Sequence, residues 1–432
     1  MDEDEALSSA GLTRAVYAAV VLLGAANLLP WMAFLTMADY FDQTYRSNAM
    51  EYYFPTVSTF VLVITSTLVL AYGNRFSFDA RILLPSVIMS ILVLAVPLVD
   101  LLLSSKIIDP NLGFVITLAS VFFNAFCSSV AQNSLYGLAG VLGDGATQAL
   151  QTGTGMMGVI SVMLRAITKW VPNLSSSGSM WIFCLSGSAI LLISSVGYMY
   201  MVRDPTISSR LAAIEVRRLA SNLVENGSVR EAILPASDKV EQGISHSDMK
   251  PSLRASPVLH AISSLRKVCL ECVSVFLVFV VCLACFPGLS TSFVSLDWNL
   301  GTWFPLLMVA MYNIGDLIGK ASPSSIRLID ARTLPIWVVA HFFFLPFFLI
   351  LSFYRERLPT FLQTDLVPTL SVFTLGVSTG YIGCMCLILT SEHNGSPEQK
   401  ESWGMASSFS LMLGLTVGSA SSLAGTALAT SH

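Results

Sequence analysis

Long apolar runs alternate with short polar breaks along most of the chain, at the spacing of roughly 20 residues that a helix needs to cross a bilayer core. Eleven such windows separate, at 13–36, 54–72, 80–103, 112–137, 147–168, 179–202, 269–289, 300–320, 333–353, 366–390 and 402–428. The breaks carry turn-forming residues, as in YGNRFSFDA at 72–80 and ASPSSIR at 321–327. One gap differs: residues 203–268 are polar, hold ten Lys or Arg and contain no run long enough to span. The pattern predicts an all-α polytopic membrane protein of eleven transmembrane helices. It divides into a six-helix bundle over 1–202, a cytoplasmic linker over 203–268 and a five-helix bundle over 269–432.

Composition agrees. With 54% hydrophobic residues, 12% charged residues and a mean hydropathy of +0.70 over 432 residues, too few charges remain to cover a water-soluble surface. A net charge of −4 gives no footprint for nucleic acid. The start, MDEDE, reads as a short solvated tail and lacks a cleavage site, so the first window is expected to persist as a helix. Basic residues favour the cytoplasmic side of short loops. Placing the N-terminus inside puts Arg14, Arg75, Arg81, Lys320, Arg327, Arg332 and Lys400 in the cytoplasm with the linker, against Arg46, Lys106, Lys169, Arg355 and Arg357 outside. An odd number of spans then leaves His432 extracellular. Of the sequons at Asn173, Asn226 and Asn394, only the first falls on the outer side in this orientation.

Catalytic and metal chemistry find little support. Cys269, Cys272, Cys282 and Cys285 form two CxxC pairs, but on one helix the pairs lie roughly 15 Å apart along the axis, too far for one tetrahedral ion. No HExxH spacing occurs, and no metal or cofactor is expected. An intramembrane protease, the alternative from another class, would need Gly-x-Ser-Gly or the pair Tyr-Asp and Gly-x-Gly-Asp, and these are absent. No Gly-x-x-x-x-Gly-Lys loop is present to power a pump.

Polar residues inside the apolar windows carry the functional signal. In the eighth window Asn313, Asp316 and Lys320 recur at i, i+3, i+7 on one helix face. An ionised residue at mid-span costs about 2.5–3.5 kcal/mol, whereas an i, i+4 ion pair returns only about 0.3–0.5 kcal/mol. Such a face has to meet protein or a water-filled cavity, unless Lys320 snorkels at the cytoplasmic end with Asp316 as its cap. The fourth window repeats Asn124, Ser128 and Gln132 in one stripe ahead of Tyr136, and the fifth aligns Gln151, Gly155, Gly158 and Arg165. Stripes from both halves predict a central aqueous route, with interhelical packing as the bland alternative.

These residues resemble a known family. The stretches GAANLLPWMAF (24–34) and QNSLYGLAG (132–140), the Asn-x-x-Asp-x-x-Gly-basic run at 313–320, and the shorter FPG (286–288), TGY (379–381) and GLTVG (414–418) are similar to the equilibrative nucleoside transporters. The resemblance runs through all eleven windows and breaks only in the linker. It implies a major-facilitator-like fold whose six- and five-helix bundles rock about a central site, and a monomer in contact with membrane lipid. The implied cargo is nucleoside, with nucleobase as an extension, moved either facilitatively or with proton coupling. By resemblance Trp31, Gln132, Asp316 and Lys320 contact substrate, with Asn313 and Asn124 beside them and Arg165 and Asn27 in structural or gating roles. The residues suit those roles: Trp31 offers a stacking face, Gln132 reads amide edges, and Asp316 accepts from ribose hydroxyls. Two departures stand out: Lys320 replaces the family's arginine and loses its two-pronged geometry, and Met32 stands where asparagine is frequent. An organic cation or monoamine is the rival cargo. The plasma membrane is the expected location.

In the linker, Leu211, Ile214, Leu219 and Leu223 beside Arg217 and Arg218 predict a short helix on an anionic membrane surface. The remainder is too poor in apolar residues to order itself. Tethering of the bundles, or control by phosphorylation at Ser209 or Ser256, are its two expected roles.

Overall fold

A computed structural model describes residues 12–45, 50–171, 174–225 and 265–430. Among those residues the chain forms helices and no strand. Before the linker come α1 (Arg14–Thr36), α2 (Ala38–Thr44), α3 (Met50–Tyr72), α4 (Phe78–Ser104), α5 (Pro110–Leu142), α6 (Asp144–Trp170) and α7 (Ser176–Val202), and α8 (Pro205–Glu225) opens the linker itself. After it come α9 (Cys269–Cys285), α10 (Gly288–Thr291), α11 (Phe304–Ala321), α12 (Leu334–His341), α13 (Phe344–Tyr354), α14 (Thr360–Gln363), α15 (Leu366–Glu392) and α16 (Pro397–Thr430).

Seven of the apolar windows are helical stretches long and apolar enough to cross a membrane: α1, α4, α5, α7, α9 with α10, α12 with α13, and α15. The other four are helical too, as α3, α6, α11 and α16. The apolar stretch described within α3 is Val57–Tyr72, and α6 and α11 carry polar stripes. Two windows break internally. The seventh stops at Cys285, because Pro287 has no N–H to continue the ladder, and resumes at Gly288. The ninth is interrupted between His341 and Phe344.

Local chemistry sets the helix starts. Thr13, Ser77 and Ser175 accept the N–H groups of Val16, Ala80 and Gly178 at 3.3, 3.3 and 3.0 Å. Pro110 opens α5, where its missing donor costs nothing. Gly143 links α5 to α6 at φ +107°, a conformation open to glycine.

The helical start expected for the linker extends to Glu225; among its described side chains Ile207 and Ile214 are buried and Leu211 is half-buried, while the side chains of Arg217, Arg218, Leu219 and Leu223 lie outside the described ones. Ser209 is exposed on this helix, its hydroxyl donating to the Thr206 carbonyl at 3.0 Å. Residues 226–264, and with them Asn226 and Ser256, lie outside the described residues, as does Asn173; Asn394 is exposed.

Glycine lets backbones touch. A Cβ on Gly24 would sit 2.1 Å from the Leu150 carbonyl oxygen, and one on Gly153 2.0 Å from that of Val21, so α1 and α6 cross in contact. Away from the linker, half-buried Asp100 and fully buried Asp365 hold the loops. Asp100 accepts from Tyr40, Ser177 and Trp181 at 2.9, 2.5 and 3.3 Å. Asp365 binds Arg355 at 2.7 Å, the Ser295 hydroxyl at 2.7 Å and the Leu296 and Trp298 N–H groups at 2.9 Å each.

Burial works against ionised Asp365, but the N–H donors of Leu296 and Trp298, the Arg355 guanidinium and the Ser295 hydroxyl outweigh it and hold its carboxyl well below the usual range. A depressed folded-state value means the stabilisation is full above the unfolded value near 4 and fades as pH falls below it. Thermal unfolding in detergent should therefore show this contribution unchanged between pH 7 and 5 and weakening only below about pH 4. Asp365→Asn should destabilise at neutral pH by about 3–5 kcal/mol, because Arg355 is left buried without its counter-charge.

Candidate functional site

The site begins at the crossing of α11 and α15. Gly315 and Gly319 lie so close to the Phe373 and Val377 carbonyls that a Cβ would come within 2.3 Å of each oxygen. Gly376 and Gly380 meet the Tyr312 and Asp316 carbonyls in the same way, at 2.3 and 2.4 Å. This small-xxx-small pairing on both helices draws Asp316 into the interior. Asp316 is 6% exposed and Lys320 8%, with Oδ2 and Nζ 2.7 Å apart. Lys320 is thus buried with its partner, and the snorkelling alternative does not apply. Asn313, on the same face, gives its Nδ2 to the Val309 carbonyl at 2.8 Å.

That face meets helices from before the linker. A Cβ on Gly158 of α6 would lie 2.1 Å from Asn313 Oδ1, and one on Gly155 3.4 Å from Lys320 Cδ. The glycines of the fifth-window stripe therefore serve contact across the two halves. Gln151 Nε2 donates to the Tyr136 hydroxyl at 2.8 Å, and Asp316 lies within electrostatic reach of that hydroxyl. One turn along α5, Gln132 Oε1 accepts from Asn27 Nδ2 at 3.0 Å. Trp31 is half-buried and shares a helix face with Asn27 by its i, i+4 spacing. Asn124 is buried on the Gln132 stripe. Arg165 is half-buried near the Trp170 end of α6.

Sequence reasoning missed how the two ends of this route differ. At the end where α5 stops and α16 starts, Arg81 Nη2 meets Glu401 Oε1 at 2.6 Å, with side chains 4% and 1% exposed. Arg81 also lies over the Phe78 ring at 4.6 Å, and Gln148 Nε2 reaches the Ala321 carbonyl at 3.2 Å. Backbone closes there as well: Cβ atoms on Gly404 and Gly140 would sit 2.2 Å from the Tyr136 and 2.6 Å from the Lys400 carbonyl oxygens. Arg81 read from sequence as a loop charge, and nothing local points to a partner 320 residues away. At the opposite end the halves meet through half-buried Lys169, which donates to the Thr302 carbonyl at 2.7 Å and lies 5.0 Å from the Trp303 ring.

A family model described as nucleoside transporter matches residues 118–424. Equilibrative nucleotide transporter 1 of Arabidopsis thaliana is 27% identical over 403 residues, covering 92% of this chain and 83% of that protein. Equilibrative nucleoside transporter 4 of Homo sapiens is 25% identical over 457 residues, covering 94% and 82%. Among solved structures, the major facilitator proton:xylose symporter XylE superposes with a TM-score of 0.61 at 13% identity, over 94% of this chain and 87% of that one. FucP, a major facilitator transporter in the outward conformation, gives 0.54 at 13% identity over 96% and 95%. At such identities the likeness is one of fold, and it bears out the major-facilitator-like architecture expected above.

Breaking one partner of a buried ion pair strands the other charge, at a cost of about 3–5 kcal/mol. Glu401→Gln or Arg81→Gln should each lower thermal stability in detergent by that order. The exchanged pair Arg81→Glu with Glu401→Arg should recover at least half of the loss, which a merely steric role of either side chain would not allow.

Proposed function

This chain belongs to the nucleoside transporter family, and from that premise we propose that it carries nucleosides, and nucleobases as lesser cargo, by alternating access. It is a multi-pass membrane transporter and not an enzyme. The reading assigns Asp316 to the ribose hydroxyls, Lys320 to fixing that carboxylate, Trp31 to stacking on the base and Gln132 to its polar edge. Asn313 and Asn124 line the route, while Arg165 and Asn27 position helices. The observation that supports it most is the Asp316–Lys320 pair buried at a contact between the two halves, where neither helix stability nor lipid has a use for it.

In this reading eleven helices form bundles at 1–202 and 269–432 that rock about the pair, with 203–268 as a tether. The N-terminus is cytoplasmic and the C-terminus extracellular, in a monomer of the plasma membrane. Carriage of an organic cation is the weaker reading, since Lys320 already sits 2.7 Å from the carboxylate such a cation would seek.

A hydrogen bond to a charged group is worth about 1.5–3 kcal/mol, so Asp316→Asn should reduce labelled-adenosine uptake into proteoliposomes at least roughly tenfold while insertion persists. Near-normal uptake by the inserted variant would sink the assignment. Lys320→Arg should remain active. Imposing a pH gradient on the same vesicles separates the two coupling modes: accumulation beyond equal concentration marks proton symport, and equilibration without accumulation marks facilitated diffusion.

A further inference from the structure

Two buried amide oxygens between α1 and α5 have no donor. Asn124 is 2% exposed and its Nδ2 donates to the Ser120 carbonyl at 3.2 Å. A carbonyl only accepts, so this bond fixes the amide's orientation and leaves Oδ1 without a partner. Asn27 is 7% exposed; with its Nδ2 on Gln132 Oε1, its own Oδ1 is also without a partner. An amide paired with an amide keeps one carbonyl oxygen and one N–H group to offer, whichever way the pair is turned. Together the three side chains present two acceptors and one donor.

Their placement favours a shared ligand. Asn27 on α1 meets Gln132, and Tyr45, further along the chain at the end of α2, meets Thr117, so the chain runs antiparallel to α5 and the turn of α1 that carries Trp31 advances toward Asn124. Ser128, between Asn124 and Gln132 on the stripe, donates to the Asn27 carbonyl at 3.5 Å and holds the two helices together. Trp31, half-buried and on the same face of α1 as Asn27 by its i, i+4 spacing, offers a stacking face for a planar group. A buried acceptor left unpaired carries the full desolvation penalty, so the occupant is selected by its donors.

Resting on the nucleoside reading above, we propose that Asn27, Asn124 and Gln132 read an exocyclic amino group, making the transporter selective for nucleosides of amino bases over their keto counterparts. An exocyclic amine supplies two N–H donors and the adjacent ring nitrogen one acceptor, as on adenine and cytosine. This matches two acceptors and one donor. Hypoxanthine presents a carbonyl beside its ring N–H, and uracil a ring N–H between two carbonyls, so each meets the amide oxygens with acceptors. A protonated monoamine has N–H donors but no ring acceptor for the remaining amide N–H.

The test is initial-rate uptake into proteoliposomes of adenosine against inosine and of cytidine against uridine. The KM of each amino member should be about tenfold lower than that of its keto partner. Asn124→Leu should bring the ratio of the inosine KM to the adenosine KM close to one. Equal KM values within both wild-type pairs, or lower values for the keto members, overturn the proposal while leaving nucleoside transport standing. Monoamine uptake without nucleoside uptake overturns both. The wild-type comparison decides the matter even where Asn124→Leu fails to insert.

Discussion

Holding two opposite charges away from water is the constraint on which the centre of this molecule depends. The Asp316–Lys320 pair lies on a single helix, and its attraction alone cannot offset the removal of both groups from water. It persists because α11 cannot turn the pair outward: four glycines fix that helix against α15 with backbone in contact, and Gly155 and Gly158 bring α6 over the same face. The site therefore sits on helices whose spacing is set by the absence of side chains. A position set in this way tolerates no added methyl group, which keeps the carboxylate where a ligand can find it.

Closure at the two ends is unequal. Arg81 and Glu401 are almost wholly buried, so separating them exposes two charges that must be rehydrated together, along with the parting of the Gly404 and Gly140 contacts. Lys169 at the opposite end is half-buried, and a solvated contact of that kind is worth little. The resistance at the Arg81 end falls once water reaches the pair, because hydration repays both charges simultaneously, and this makes opening there cooperative.

How much of this was legible in the sequence follows from range. The apolar windows announced the helices, because each is a local property of some twenty residues; α6 and α11 depart from the apolar pattern along the faces they turn to each other. Asp316 and Lys320 were legible as an anomaly, and their spacing already placed them on one face with Asn313. The ion pair between Arg81 and Glu401 was not legible. Its partners are far apart in sequence, and either residue alone reads as an ordinary loop or helix-end charge. The glycines were visible, yet their partners were not, since small residues mark a close approach without saying to what.

The replacement of arginine by lysine at 320 looks from sequence like a loss of binding geometry, and the structure recasts it. A guanidinium fork can occupy both oxygens of a carboxylate. The ammonium of Lys320 is a point charge on a long stem, and its ion pair engages Oδ2 of Asp316. The second carboxylate oxygen then keeps its capacity to accept from a neutral donor, while the negative charge remains compensated. A lysine here therefore suits a cargo that brings hydroxyl groups and no charge of its own. Discrimination by a fork is given up at this end, which fits the proposal that the amides on α1 and α5 select the cargo.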